Sequence, residues 1–472
     1  MFLHDEYKLK HIHRLANAPG RIITSLVKQC SFICNRKLRN MKHITLLGIC
    51  LIALLSFNSL IVAARQTDTL VQLTPAQEKS LKQVSLENYK AFKASVKPLI
   101  AKMSTKQIVG LGEGTHGTAE FYQLRYYISR ILIEEKGFNH VAFENDAAEM
   151  WLLNQQLNST ADVAALMKKY MMGIWQNKET KELLDWIKTY NQSHQRKVSV
   201  HGIDYPVQKP DIEMLTQLFK KAGINAFDNA LLSLSAAANL QDENWFGMNQ
   251  KKFKTDWKGL NKLCGQAYVT ADSVQQQINN MDIAGEIKSD LLLVLVNLKQ
   301  GFEPFYPKAK YVSRDSLMAY NTSLIIKSKD DKVIVWAHDA HLGKKEVYNN
   351  SVGGTGKYLL KLFPNNYFVL GTATALGEFG ATTDARAVNT SVMLSYALEV
   401  PLKDSWEALL STSPKTSHYF FTDSFSLKPL VKPQRFVGYG TKSGVSLYDN
   451  VNLAELYDAF LFIKQTHAPT RL

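Results

Sequence analysis

Residues 108–146 read IVGLGEGTHGTAEFYQLRYYISRILIEEKGFNHVAFEND, and the order of patterns within them decides the fold class. Residues 108–112 and 140–144 are short apolar runs of the kind that form buried parallel strands. Between them, 121–136 carries Phe121, Leu124, Ile128, Ile131 and Leu132 at helical spacing. Runs at 198–204, 333–338 and 367–372 repeat the strand pattern, and 457–463 gives a last one before a polar tail. Strands alternating with helices predict an α/β fold with a mostly parallel central sheet flanked by helices. Residues 210–330 read differently. They are rich in Leu, Ala, Lys, Gln and Asn, with helical windows at 228–241 and 283–300 and no convincing strand, and are expected to form a helical insertion on the sheet.

The chain has 472 residues, 46% of them hydrophobic, which is too apolar and too long for a disordered chain. Its net charge of +14 suggests an anionic partner. Half of that charge, however, lies in residues 1–64, where nine Lys or Arg face two Asp or Glu. The body is only mildly basic and lacks a long basic run, so no nucleic-acid partner is expected. The N-terminal excess fits a leader. ITLLGICLIALLSFNSLIVAA (44–64) is uncharged, follows Met41-Lys42 and ends in small residues, as a secretory signal peptide does. Residues 1–40 then read as an upstream or cytoplasmic extension, 41–64 as a signal peptide or membrane anchor, and 65–472 as one hydrolytic domain. The mature protein is expected to be exported, periplasmic or extracellular, with a membrane contact only where 44–64 is retained. Cys264 is the one cysteine beyond the leader, so the fold must rest on its core.

Ionisable residues fall at the strand ends, where open α/β sheets bind ligands. The first strand gives Glu113 and His116, the second Glu144, the third Asp204, and the fourth His338 and His341. Uncompensated charge at the end of a buried strand is costly, so such a grouping points to chemistry. Arg125 lies on the apolar stripe of its helix and must find an acid, Glu113 or Glu144. Arg314 shares a mixed face of a later helix with Leu317, Met318 and Asn321.

Gly112-Glu113-Gly114-Thr115-His116-Gly117 also matches G-x-G-x-x-G, with Glu144 where a ribose-binding acid would stand. This dinucleotide-binding alternative is weakened by a carboxylate set among the glycines. No G-x-S-x-G elbow, P-loop lysine pattern or H-E-x-x-H occurs.

LGEGTHGTAEFYQLRYYISRILIEEKGFNHVAFEND (111–146), VHGIDYP (200–206), RDSLMAYN (314–321), VIVWAHDAHLG (333–343), RFVGYGT (435–441) and YDAFLFI (457–463) together resemble the erythromycin esterase-like hydrolases. The resemblance implies hydrolysis of an ester, in macrolide-acting members the lactone ring, on an α/β core with a helical insertion and a deep cleft. It places the family's essential Glu and His on Glu113 and His116, its second acid on Glu144, its helix Arg on Arg125 and its paired histidines on His338 and His341. It departs at Asp339, where Asn is usual. A carboxylate beside His338 is expected to raise that histidine's pKa.

The site expected from these readings has His116, Glu113, Glu144 and His338 as catalytic residues and Arg125, His341, Asp204 and Arg314 as substrate-binding ones. His116, oriented by Glu113 or Glu144, takes a proton from the attacking water, and Arg125 and His338 stabilise the oxyanion. No cofactor is expected. The alternative is a divalent metal held by Glu113, His116 and His338 in a hydrolase or protease. A haem- or dinucleotide-binding protein without hydrolytic activity is the non-enzyme alternative. The expected partner is a small-molecule ester or lactone.

Overall fold

The computed structural model of the protein describes residues 72–425 and 430–472, so the leader and the extension before it lie outside the described residues. The strands are β1 (Lys82–Gln83), β2 (Ile108–Glu113), β3 (His140–Asp146), β4 (Ser199–Asp204), β5 (Val333–His338), β6 (Tyr367–Ala381), β7 (Leu394–Ala397), β8 (Ser417–Phe421), β9 (Lys432–Arg435), β10 (Tyr448–Val451) and β11 (Ala459–Thr466). The main sheet runs β1-β8-β11-β6-β2-β5-β3-β4, with β7 paired on β6, while β9 and β10 form a separate pair. Every pairing from β11 across to β4 is parallel; β8 is antiparallel to β1 and β11, and β7 to β6. The sheet is thus mixed and mostly parallel.

The central strands read as unbroken apolar runs because both of their faces are covered. Val109, Leu111, Val141, Phe143, Ile334 and Trp336 pack on one side, with the apolar stripe of helix α1 (Ala119–Lys136). Ile108, Ala142, Val333, Val335 and Val369 pack on the other. Helix α2 (Ala147–Leu157) leaves the end of β3 directly.

Between β4 and β5 there is no strand. The segment holds helices α3 (Lys209–Ala222), α4 (Asp228–Gly247), α5 (Trp257–Asn280), α6 (Gly285–Phe302) and α7 (Arg314–Ile325). Helices α3 to α6 enclose an apolar core of their own, which includes Leu218, Leu234, Leu260, Ile278, Val294 and Leu298, while Met318, Ala319 and Ile325 of α7 pack into the core of the sheet. Among the described residues no helix is long and apolar enough to cross a membrane.

Candidate active site

Sheet register brings the strand-end residues together. Glu113, the last residue of β2, pairs with His338, the last of β5. β3 follows β5 only as far as Phe143↔Trp336, and its pairing with β4 is irregular between Phe143 and Asp146. That break lets the Glu144 side chain turn in toward β5, where one carboxylate oxygen accepts the His338 backbone N–H at 2.8 Å.

The Glu113 carboxylate is fully buried and divides its two oxygens. Oε1 lies 2.7 Å from His116 Nδ1, and Oε2 accepts from Arg125 Nη2 at 3.0 Å. With Nδ1–H donated to Glu113, Nε2 is the His116 nitrogen left to take a proton, and it makes no hydrogen bond among the described residues. The turn is clamped from the far end of the chain: the His116 N–H donates to the Val437 carbonyl at 2.9 Å, and the Val437 N–H to the Gly114 carbonyl at 2.8 Å.

Arg125 has no surface to offer a ligand. It is 0% exposed, and its guanidinium sits 4.7 Å from the ring centre of Trp336, 4.8 Å from Tyr122 and 5.4 Å from Trp175. Its Nε and Nη1 have no hydrogen-bond partner among the described residues and lie among these aromatic faces. The expectation that Arg125 touches substrate is therefore corrected: its charge is spent on Glu113.

His338 packs against His116 with ring centres 4.6 Å apart. Its Nε2 lies 3.2 Å from the Val437 carbonyl, and its Nδ1 accepts the Ala340 N–H at 3.2 Å, an arrangement that fits a neutral ring with the proton on Nε2. Burial, then the neighbouring His116, holds its pKa well below the ordinary histidine range. The expected rise from Asp339 is corrected. The Asp339 side chain turns away toward β6, where Oδ2 accepts the Thr372 N–H at 2.8 Å, and burial pushes its own carboxyl well above the usual range.

A second ionic group adjoins the first through Glu144. Arg314, at the start of α7, grips both Asp204 oxygens, with Nε at 3.0 Å and Nη2 at 2.6 Å, and Nη2 also reaches Glu144 Oε1 at 2.9 Å. Asp204 is nearly buried, and its side chain is taken up in orienting Arg314, which corrects its expected role in binding substrate. Burial opposes the Arg314 charge, and Asp204 and Glu144 outweigh it. His341 Nδ1 lies 2.8 Å from Asp315 Oδ1, and its Nε2 lies 3.1 Å from Arg314 Nη1 and 3.4 Å from Glu144 Oε1. A neutral ring accepts from Arg314 there, and a protonated ring donates to Glu144. Burial disfavours the charged ring, but Asp315 and Glu144 together raise its pKa above the ordinary value. Glu144 answers in kind: burial is outweighed by His341 and Arg314, which hold its carboxyl well below the usual range. Arg314 keeps 23% of its side chain exposed, so of these groups it offers the most surface to a ligand.

Asp315 went unread in the sequence. It follows the helix-capping Ser313 and passes there as ordinary first-turn acid, yet it also accepts from the Thr355 backbone N–H at 3.1 Å and hydroxyl at 2.7 Å. The only signal for it was the Arg314-Asp315 pair at the head of a half-apolar helix.

The alternatives meet the geometry poorly. In the glycine turn, the N–H groups of Gly114, His116 and Gly117 donate to Thr372 Oγ1, the Val437 carbonyl and Tyr122 Oη, so they form no cradle for a pyrophosphate. Among the described residues no three His, Cys, Asp or Glu side chains are placed to hold a metal ion. Of the alternative ligands, Glu113 has both oxygens and His338 both ring nitrogens engaged in hydrogen bonds within the protein.

Comparison with known proteins places the chain among relatives of one family. The model of the family described as erythromycin esterase matches residues 133–466. The type II erythromycin esterase of Escherichia coli is 23% identical over 361 residues, 71% of this chain and 84% of that protein. The type I enzyme of the same organism is 26% identical over 261 residues, 51% of this chain and 63% of that one. Among solved structures, a Bacillus cereus protein superposes with a TM-score of 0.69 at 17% identity, covering 84% of this chain and 97% of that one. An erythromycin esterase variant in its open conformation superposes with a TM-score of 0.57 at 18% identity, covering 84% and 98%. The fold is shared with these structures over 84% of the chain, and the family model matches most of its length: the chain belongs to the erythromycin esterase family of hydrolases.

Proposed function

We propose that the protein hydrolyses a carboxylic ester or lactone with water activated by His116, on a substrate of macrolide kind. The observation that carries the reading is the Arg125–Glu113–His116 chain, which pins the imidazole through Nδ1 and leaves Nε2 free. His116 Nε2 takes a proton from water as the water oxygen bonds to the carbonyl carbon, and the C=O electron pair moves onto oxygen. The resulting oxyanion is met by the Arg314 guanidinium, which of the site's charged groups offers the most exposed surface. Collapse re-forms C=O and breaks the C–O bond, and the leaving alkoxide takes the proton back from His116 Nε2. The chain's own side chains supply every proton transfer, and no metal or cofactor is invoked. The macrolide class draws on the names of the curated relatives. The leader reading supports export, so this chemistry is proposed for the periplasm or outside.

The test uses protein from Gln66 onward, with erythromycin and p-nitrophenyl butyrate as substrates. Both are expected to turn over, equally with and without EDTA. His116→Ala is expected to lose roughly 10²–10⁴-fold in kcat while keeping its circular dichroism. Full turnover by His116→Ala, or loss of turnover with EDTA that Zn²⁺ or Mn²⁺ restores, would sink the mechanism.

A further inference from the structure

Asp339 belongs to neither of the two ionic groups of the site, yet it directly follows His338. It starts the short helix Asp339–Leu342 that follows β5 directly. Its side chain passes beneath β2 to reach β6, so one carboxyl spans three neighbouring strands. The passage exists because β2 carries glycine there. A Cβ on Gly112 would fall 1.8 Å from Asp339 Oδ1 and 3.0 Å from the Leu370 carbonyl, and one on Gly114 would fall 2.4 Å from the Thr372 carbonyl and 3.3 Å from Asp339 Oδ2. These two glycines flank Glu113.

The far end of the side chain does structural work. β2 and β6 pair from Ile108↔Tyr367 to Leu111↔Leu370 and then part. Beyond that point side chains replace the ladder: the Thr372 N–H donates to Asp339 Oδ2 at 2.8 Å, and the Gly114 N–H donates to Thr372 Oγ1 at 3.0 Å. Oδ1 is buried with no hydrogen-bond partner among the described residues, and Asp339 is 1% exposed. A full charge there would stand uncompensated near Glu113, and burial favours the neutral acid.

We infer that Asp339 is a positioning residue: a strut from β5 under Gly112 to Thr372 that holds β2 and β6 at their parting and so fixes Glu113 against His116. This rests on the hydrolytic reading of the site for its activity readout, and on packing alone for its stability readout. The strut needs a polar oxygen at Oδ2 and no charge. Asp339→Asn supplies that, Asp339→Ala removes the strut, and Gly112→Ala collides with it.

The experiment compares wild type, Asp339→Asn, Asp339→Ala, Gly112→Ala and the Gly112→Ala/Asp339→Ala double variant, in p-nitrophenyl butyrate hydrolysis and in thermal midpoint. Asp339→Asn is expected within about threefold of wild-type kcat, and Asp339→Ala about 10–10²-fold down with KM changed by less than about twofold, since the strut does not touch substrate. Gly112→Ala is expected to fall as far, and the double variant to recover at least about fivefold over it, because the new methyl fills the space the carboxyl vacated. Losses that simply add in the double variant, an Asp339→Asn as damaged as Asp339→Ala, or an effect confined to KM would each overturn the assignment. If wild type turns over no ester, the hydrolytic reading fails by itself. The thermal midpoints then decide: partial recovery in the double variant supports the strut, and additive losses overturn it.

Discussion

A guanidinium with no exposed surface is stable only where its surroundings were built for it, and Arg125 has two such supports. One is the Glu113 carboxylate, and the other is the ring of Tyr122, Trp175 and Trp336. The planar ion can stack on aromatic faces while donating edge-on, which an ammonium cannot do. Arg125→Met should therefore keep much of the packing but leave Glu113 a buried, unpaired acid. We expect kcat to fall by about 10²-fold or more with KM nearly unchanged, and Arg125→Lys to recover little of it. Steady-state kinetics on p-nitrophenyl butyrate checks this, and a variant affected only in KM would mean that Arg125 reaches substrate after all. At this scale the sequence was partly legible. An arginine on an apolar helical stripe has to meet an acid, and it does. Where that acid then faces is a matter of strand register, which is why Arg125 and Asp204 looked like substrate contacts and Asp315 looked like nothing.

Elements buried on both faces announce themselves in the sequence, and β2, β3, β4 and β5 each lie within a residue or two of the apolar runs that mark them. Elements held by edges or by small residues do not. β6 continues to Ala381 through Thr372, Ala373, Thr374 and Gly377, a stretch with little apolar signal that stays extended because β11 and then β7 pair with it. β8 and the β9–β10 pair are short and polar in part, and β8 is set by an antiparallel partner farther along the chain, β11, which puts Ala459 opposite Phe421. The turn after β2 shows how closely such elements meet. Gly117 has φ of 68°, and a Cβ there would lie 2.1 Å from the Gly380 carbonyl of β6, which crosses directly above it. Gly117→Ala is thus both strained and obstructed. We expect it to lower stability by about 1–3 kcal/mol and to cut kcat by roughly tenfold or more, because the displaced turn carries His116. Chemical denaturation and kinetics together test it, and a variant with wild-type values in both would show that the turn tolerates a side chain.

Across the whole molecule, the sheet and the helical insertion each have a core of their own, and a set of buried acids joins them. Asp146 at the end of β3 accepts the Ala148 and Glu149 N–H groups that begin α2, and Asp242 of α4 accepts the Gln208 and Lys209 N–H groups that begin α3. Glu149 and Asp211 complete the set, and neither Asp211 oxygen has a hydrogen-bond partner. The charged groups nearest to them are Asp204, held by Arg314, and the exposed Lys209. Burial raises all four carboxyls, Asp242 to about 6 and the others well above their ordinary range. The folded protein therefore binds more protons here than the unfolded chain does. The stabilisation is complete below the unfolded carboxyl range near pH 4 and is lost as pH rises through the folded values, with Asp242 passing near pH 6. Glu144 and Asp315 run the opposite way, since their lowered values add stability above the carboxyl range, so the joint weakens while the site firms. Asp211→Asn removes one of the acids that must stay protonated. Its thermal midpoint should rise relative to wild type by roughly 2–4 °C at pH 8 and by much less at pH 5. Native-state hydrogen exchange, corrected for its intrinsic pH dependence, should show amides of α4, α5 and α6 opening at lower free energy than those of β2 and β5, with the gap widening from pH 5 to pH 8 in wild type and less so in Asp211→Asn. An insertion that opens with the same free energy at both pH values, or an Asp211→Asn midpoint shift equal at pH 5 and pH 8, would mean that these acids do not govern how the insertion is held to the sheet.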